Sequence, residues 1–286
     1  MLIEVDSVCH RYSQEEEMVL NDISFKIERG EFIGLIGHTG SGKSTLVQLL
    51  NGLITPTAGQ VYISGEDITA KEINLKSIRE QVGLVFQYPE HQLFEETVYD
   101  DIAFGPKNLG LSEQVIEERV KQTLASVNLD YQRFKERSPF KLSGGQQRRV
   151  AIAGVLAMRP EVLILDEPTA GLDPKTRNEV IEEIVKFKKQ FNLTIILISH
   201  RMEQVFQLAD RILVLEQGEL IFDCTPAELI KEQQRLIELG LSIPEVTKVL
   251  FALKERGYDL RTDLFEVAEI KEEIVKTLIK PGILKS

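Results

Sequence analysis

The sequence predicts an α/β protein: a parallel sheet covered on both faces, preceded by half-buried antiparallel strands, interrupted by a helical unit and followed by a small helical module. Three observations carry this. The runs EFIGLIG, QVGLVFQ, EVLILDEP and LTIILISH are almost continuously apolar, as strands buried on both faces are. Helix-patterned segments follow the runs that end in Gly37, Pro168 and His200, the βαβ order of a parallel sheet. Near the N-terminus, LIEVDSVCHRY and VLNDISFKI instead alternate apolar with polar residues.

Taken in order, those two alternating segments form antiparallel strands with a turn between them. EFIGLIG then enters GHTGSGKS and continues into STLVQLLNGL, which reads as strand, glycine loop, helix. GQVYISGEDI returns to strand around glycines, and QVGLVFQ is a further buried strand. From Leu93 to about Pro160 the chain reads mainly helical, with Ile116, Val120, Leu124 and Val127 on one face. After the last two parallel strands, RILVLEQGELIF predicts a hairpin at Gly218. Composition shifts beyond about Thr225. There SIPEVTKVLFALKERG offers a capping box in Ser242 and Glu245, Pro244 in the first turn, Val246, Val249, Leu250 and Leu253 on one face, and Gly257 as a stop. A last helix around FEVAEIKEEIVKTLIK carries Ile270, Ile274 and Leu278 on one side. The expected domains are therefore 1–224, with a helical insertion over about 88–160, and a helical extension over 225–286.

The bulk numbers set bounds. At 286 residues, 43% hydrophobic and 28% charged, the chain supports its own core. Cys9 and Cys224 lie far apart and share no metal-ligand spacing, which fits a reducing compartment. MLIEVDSVCHRYS carries acids where a secretion signal needs basic residues, and no stretch approaches the ~20 apolar residues of a membrane span. A net charge of -11, from 45 acidic and 34 basic residues, opposes sequence-independent attraction to nucleic acid or anionic lipid.

Two motifs carry chemistry by themselves. GHTGSGKS, Gly37 to Ser44, has the spacing of a phosphate loop: its glycines let successive N–H groups point inward, the next helix adds its positive dipole end, and Lys43 reaches the outer phosphates. Ser44 is the expected magnesium ligand. In VLILDEP an apolar strand delivers Asp166 at its C-terminal end, followed by Glu167. Asp166 suits magnesium and Glu167 suits an attacking water; alone, such an acidic pair is as readily a helix cap.

LSGGQ, Leu142 to Gln146, joins these two motifs, and with it residues 2 to 225 resemble the ATPase of an ATP-binding cassette (ABC) transporter. The resemblance implies a P-loop NTPase fold with a RecA-like core, an antiparallel β subdomain and an inserted helical subdomain. It implies ATP and Mg2+ as ligands, with Gly37, His38, Thr39, Gly40, Ser41, Gly42, Lys43, Ser44 and Thr45 around the phosphates and Ser44, Gln87 and Asp166 near the metal. Tyr12 matches the aromatic that stacks on adenine, the alternative being a tyrosine packed at a sheet edge. Glu167, Gln87 and His200 match the hydrolytic glutamate, the glutamine sensing metal and water, and the switch histidine. In this family two cassettes meet head to tail, so Leu142, Ser143, Gly144, Gly145 and Gln146 serve the partner's ATP. Asp173 matches a loop crossing that interface, although an Asp-Pro turn explains it locally.

GHTGSGKST, FQYPEHQLFEETVYDDIAFGPKN and LSGGQQRRVAIAGVLAMRPEVLILDEPTAGLDP are most similar to energy-coupling factor transporter ATPases of the cobalt-importer kind, and to the second of their two paired subunits. This implies a peripheral ATPase on the cytoplasmic face of the cell membrane, paired with a second cassette ATPase. A transmembrane coupling protein and a substrate-capturing membrane protein complete such importers, which take up vitamins or metal ions. The C-terminal extension would reinforce pairing. Around the segment after Gln87, Glu90, Glu95 and Glu96 lie among Leu93 and Phe94, an acidic groove with an apolar floor suited to a coupling helix bearing arginine; a solvated acidic loop is the alternative. A conventional importer ATPase and a soluble ATPase acting on nucleic acid are the rival readings, with net acidity against the second.

Overall fold

The computed structural model describes residues 1–70 and 72–278. Its strands are β1 (Ile3–His10), β2 (Leu20–Ile27), β3 (Phe32–Gly37), β4 (Ala58–Ile63), β5 (Glu66–Asp67), β6 (Val82–Val85), β7 (Val162–Asp166), β8 (Thr194–Ile198), β9 (Arg211–Glu216) and β10 (Glu219–Cys224). The helices are α1 (Lys43–Leu50), α2 (Leu75–Gln81), α3 (Val98–Asn108), α4 (Glu113–Ser126), α5 (Tyr131–Phe134), α6 (Gly144–Leu156), α7 (Pro174–Phe191), α8 (Met202–Leu208), α9 (Pro226–Leu229), α10 (Gln233–Glu238), α11 (Glu245–Glu255) and α12 (Val267–Leu278). The end of the anticipated last helix, beyond Leu278, lies outside the described residues.

Two sheets form. One is antiparallel, in the order β2-β1-β4-β5; the other runs β10-β9-β3-β8-β7-β6, parallel from β9 through β6. Three of the apolar runs, β3, β8 and β7, occupy its middle and the fourth, β6, its edge, and all four are buried on both faces. Alternate residues enter different cores. Phe32, Ile36, Leu163, Leu165, Ile195 and Leu197 join the core shared with α3, α4 and α6. Ile33, Leu35, Val162, Ile164, Ile196 and Ile198 join the core shared with α1 and the antiparallel sheet.

β9 and β10 form the expected hairpin. Gln217 and Gly218 both have positive φ, 47° and 81°, as a two-residue turn matched to strand twist requires. Its tip abuts the glycine loop, since Gly218 N donates to Ser41 O at 3.2 Å and a Cβ at Gly218 would lie 2.6 Å from Val19 O.

The insertion is helical as expected, with Ile116, Val120, Leu124 and Val127 all buried. The C-terminal extension is less separate than its composition suggests. Leu229, Ile230, Leu236, Leu239, Leu241 and Ile243 belong to the main core, while Leu250, Leu264 and Ile270 form a small core of their own. The anticipated capping box does not form. α11 starts at Glu245 with Pro244 as its cap, so Glu245 is the first helical residue rather than the third, and its carboxylate pairs with Lys248 at 2.5 Å. Leu250 and Thr247 make the buried face of α11, whereas Val249 is exposed.

β3 must lie close to α8 for this arrangement: a Cβ at Gly34 would come within 2.4 Å of Val205 Cγ1. Gly34→Ala should therefore destabilise the fold by about 1–3 kcal/mol through overpacking. The check is the urea midpoint, and an unchanged midpoint would contradict this packing.

Candidate functional site

The carboxyl ends of β3, β7 and β8 meet at one cavity of ≈ 310 Å³, lined by Thr39, Gly40, Gly42, Lys43, Ser44, Thr45, Gln87, Asp166, Glu167 and His200, together with Val19 and Ile198. Open parallel sheets place ligands at such strand ends. The glycine loop reaches this shape through left-handed backbone at Gly40 (φ 84°) and Gly42 (φ 101°). Gly42 caps α1 without a side-chain hydrogen bond, so the first-turn N–H groups of α1 face the cavity end of the helix and favour an anion.

Lys43 is buried. Its Nζ donates to Gly37 O at 2.8 Å, His38 O at 2.6 Å and Ser41 Oγ at 3.3 Å. Burial holds its pKa below the ordinary lysine value, against the opposing pull of Asp166 and Glu167. Ser44 Oγ donates to Asp166 Oδ2 at 3.3 Å, which brings the hydroxyl and the carboxylate anticipated for magnesium together. Asp166 and Glu167 are both pushed up in pKa, in each case chiefly by burial.

Glu167 stands in left-handed backbone, φ 49°. Its N–H donates to Ile198 O at 3.0 Å, and its Oε1 accepts the His200 N–H at 2.6 Å. The His200 ring lies nearby, with Nε2 3.8 Å from Glu167 Oε1. Gln87 lies two residues beyond β6, exposed on the cavity wall.

Three expected members sit differently. Tyr12 does not line the cavity: its ring is 57% exposed and its hydroxyl pairs with Thr45 Oγ1 at 2.9 Å. The His38 ring turns away from the cavity and hydrogen-bonds through Nε2 to Leu239 O in the C-terminal extension, leaving only its carbonyl on Lys43. Asp173 caps α7, accepting from Lys175 N at 3.0 Å and Thr176 N at 3.1 Å, so the local explanation holds for its fold role.

LSGGQ supplies no wall of this cavity. Ser143 caps α6 in a closed box: its Oγ accepts from Gln146 N at 3.4 Å, while Gln146 Oε1 accepts from Ser143 N at 3.2 Å. The first-turn N–H groups of Gly144 and Gly145 have no intrahelical partner and head a 13-residue helix. A helix N-terminus with free N–H groups thus stands apart from the glycine loop of its own chain.

Comparison with known proteins decides the family. The ABC transporter family matches residues 20–170. The energy-coupling factor transporter ATP-binding protein EcfA2 of Clostridium tetani is 52% identical over 96% of this chain and 97% of its own, and that of Clostridioides difficile is 50% identical over 99% of this chain and 100% of its own. Among solved structures, CbiO1 of Clostridium perfringens, part of the ABC transporter complex CbiONQ, superposes with a TM-score of 0.74 at 35% identity over 87% of this chain and 98% of its own. An ATP-binding cassette solved as a dimer in a post-hydrolysis state with ADP and Pi gives 0.70 at 29% identity, over 79% of this chain and 99% of its own.

The chain belongs to the ABC transporter ATPases. It is the ATP-hydrolysing subunit of an energy-coupling factor type importer. Among the described residues of this cassette, no helix is long and apolar enough to cross a membrane.

The expected acidic groove needs correction. Glu90 is not offered to a partner: its carboxylate is committed to Arg148, which is 3% exposed, through Nε–Oε2 at 3.3 Å and Nη2 to both oxygens at 3.2 and 3.3 Å. A groove of ≈ 190 Å³ beside this segment is walled by Leu93, Phe94, Phe104, Val150 and Met158, with Asp101 rather than Glu95 or Glu96 as its acid. Phe94 and Phe104 are exposed and meet edge to face at 4.8 Å. Asp101 is buried, accepts the Phe94 N–H at 3.1 Å through Oδ1, and has no hydrogen-bond partner for Oδ2. Burial raises its pKa. Sequence reading passed over Asp101 although it lies in the same stretch, and the usable signal was its place between Val98 and Ile102 on the apolar side of a helix.

The pKa directions fix a sign. A Glu167 pKa raised by burial means that the native cassette binds this proton more tightly than the unfolded chain, so its charge penalises stability above the folded pKa and not below the unfolded one. Nucleotide-free Glu167→Gln should melt higher than wild type at pH 7, with the gap closing as pH falls toward the ordinary glutamate range. Equal melting temperatures at pH 7 would contradict the burial cost.

Proposed function

We propose that the cavity between the glycine loop and the ends of β7 and β8 binds ATP, that Glu167 orients the attacking water, and that a second cassette supplies the missing wall. The observation supporting this is the convergence on one cavity of Lys43, the Ser44–Asp166 pair and the Glu167–His200 pair. Lys43 exchanges carbonyl partners for the outer phosphates, whose negative charge offsets the cost of its burial. With Oε1 engaged by His200 N–H, Glu167 Oε2 remains for a water placed in line with the bond between the β–γ bridging oxygen and the γ-phosphorus. Water attack forms the new P–O bond, the bond to ADP breaks, and the raised pKa of Glu167 suits it to accept the water's proton. His200 offers its ring to the γ-phosphate.

Ser44, Gln87 and Asp166 would hold magnesium. One hydroxyl, one amide and one carboxylate are hard oxygen donors and leave coordination positions for phosphate oxygens and water, as this small ion prefers. Bound magnesium neutralises charge developing on the phosphates.

The Gly144–Gly145 helix end, unused by its own cavity, supports head-to-tail pairing in which Ser143 and these N–H groups hold the γ-phosphate of the partner's ATP. The similarity to EcfA2 favours a related second ATPase as that partner, with Asp173 near the joint and the exposed Ile237 and Val249 of the extension adding to it. The groove around Phe94 and Asp101 receives an arginine-bearing coupling helix from a transmembrane protein, because a buried carboxylate oxygen without a partner calls for a charged donor. On this reading the cassette works peripherally on the cytoplasmic face of the membrane, and a separate membrane protein captures the vitamin or metal ion.

The test is affinity purification of the tagged chain from gently solubilised native membranes, with identification of what co-purifies. Wild type should bring a second cassette ATPase and a multispan protein. Asp101→Asn with Phe94→Ser should keep the ATPase and lose at least about 90% of the multispan protein, given the worth of a buried charged hydrogen bond. Full retention of both partners would reject the groove, and recovery of soluble nucleic-acid complexes would reject the membrane assignment.

A further inference from the structure

We propose that Arg148 is a positioning residue for hydrolysis: it clamps the backbone turn that carries Glu167 to Glu90, in the segment that carries Gln87. The geometry is a five-point fork. Arg148 Nε and Nη2 engage both oxygens of Glu90, and Nη1 donates to Pro168 O at 3.0 Å and Ala170 O at 2.9 Å. All five N–H groups of the guanidinium have acceptors, a set of directions that an ammonium does not reproduce.

The clamped segment is the one that shapes the hydrolytic centre. Ala170 N donates to Glu167 O at 3.1 Å, so residues Glu167–Ala170 close a turn, and Glu167 enters it with φ 49°. A non-glycine residue keeps left-handed backbone only where its surroundings over-determine it. Here the surroundings are the Ile198 carbonyl before the turn and Arg148 on two carbonyls of the turn itself. Arg148 also lies in α6, whose first residues are the signature, and its neighbour Arg149 ties α6 to α7 through Glu179 at 2.9 Å and Glu183 at 3.1 Å. One buried cation thus fixes the Gln87 segment, the signature helix and the Glu167 turn relative to one another.

The inference rests on Glu167 acting on the attacking water, and Glu167→Gln measured alongside tests that reading by itself. The experiment is steady-state ATP hydrolysis by Arg148→Lys, Arg148→Gln and Glu90→Gln in the full chain with its partner subunits, scaled to folded protein by circular dichroism. Both Arg148 variants should lose about ten- to hundredfold in kcat, as a displaced catalytic group does, with KM for ATP within about twofold. Glu90→Gln preserves shape, covers the case in which the arginine variants fail to fold, and should lose about three- to tenfold in kcat. A lowered melting temperature with wild-type kcat in the folded variants would make Arg148 merely structural and overturn the proposal. So would a rise in KM at constant kcat. Wild-type turnover by Glu167→Gln would remove the glutamate's role itself, whatever the Arg148 variants do.

Discussion

The hydrogen bond from His200 N–H to Glu167 Oε1, at 2.6 Å, is the constraint on which the site depends. It joins the ends of β7 and β8 and fixes one carboxylate oxygen, leaving the other outside this hydrogen bond. Its cost is visible in the left-handed backbone of Glu167 and in a carboxyl group held in a setting that disfavours its charge. Neighbouring parts of the fold hold it in place. The Ile198 carbonyl takes the Glu167 N–H, the following turn closes through Ala170, and the parallel pairing of Asp166 with Ile198 sets the spacing of the two strand ends.

From that point the molecule extends in three directions. Toward the glycine loop, Asp166 reaches Ser44 while Lys43 is held by oxygens of its own loop. Toward the groove beside Phe94, Glu90 and Arg148 connect the turn to the segment that carries Leu93 and Phe94. Toward the C-terminal extension, His38 hydrogen-bonds to the Leu239 carbonyl, where a Cβ at Gly240 would lie 2.7 Å from the His38 ring. The extension is therefore in direct contact with the phosphate loop, and its first half shares the main core.

Much of this was legible in the sequence because its signals are local. Continuous apolar runs marked the parallel strands, and glycine spacing marked the phosphate loop. The signature turn was legible as a capped helix start, Ser143 with Gln146, whereas its role toward an anion came only from the resemblance. What escaped reading depends on contacts between segments distant along the chain. Glu90 looked like an exposed acid among apolar neighbours, and nothing local shows that Arg148, 58 residues away, occupies it. Asp101 lay in a helix whose groove side is known only once α6 packs against α3. The capping box at Ser242 failed because the helix is capped at Pro244 and so starts two residues later than the motif implies. Tyr12 had a role only by resemblance, and the structure shows an exposed residue whose hydroxyl pairs with Thr45.

The central claim is that each ATP site is divided between two chains, one giving the phosphate loop and Glu167, the other the α6 helix end. Ser143→Arg tests it most directly, by comparing ATP affinity of the dilute, unpaired full chain with turnover of the paired assembly. Wild-type ATP affinity is expected in the unpaired chain, because Ser143 does not line its own cavity, together with loss of hydrolysis at the partner's phosphate loop. Weakened ATP binding by the unpaired variant would contradict it, since the signature would then be serving its own nucleotide.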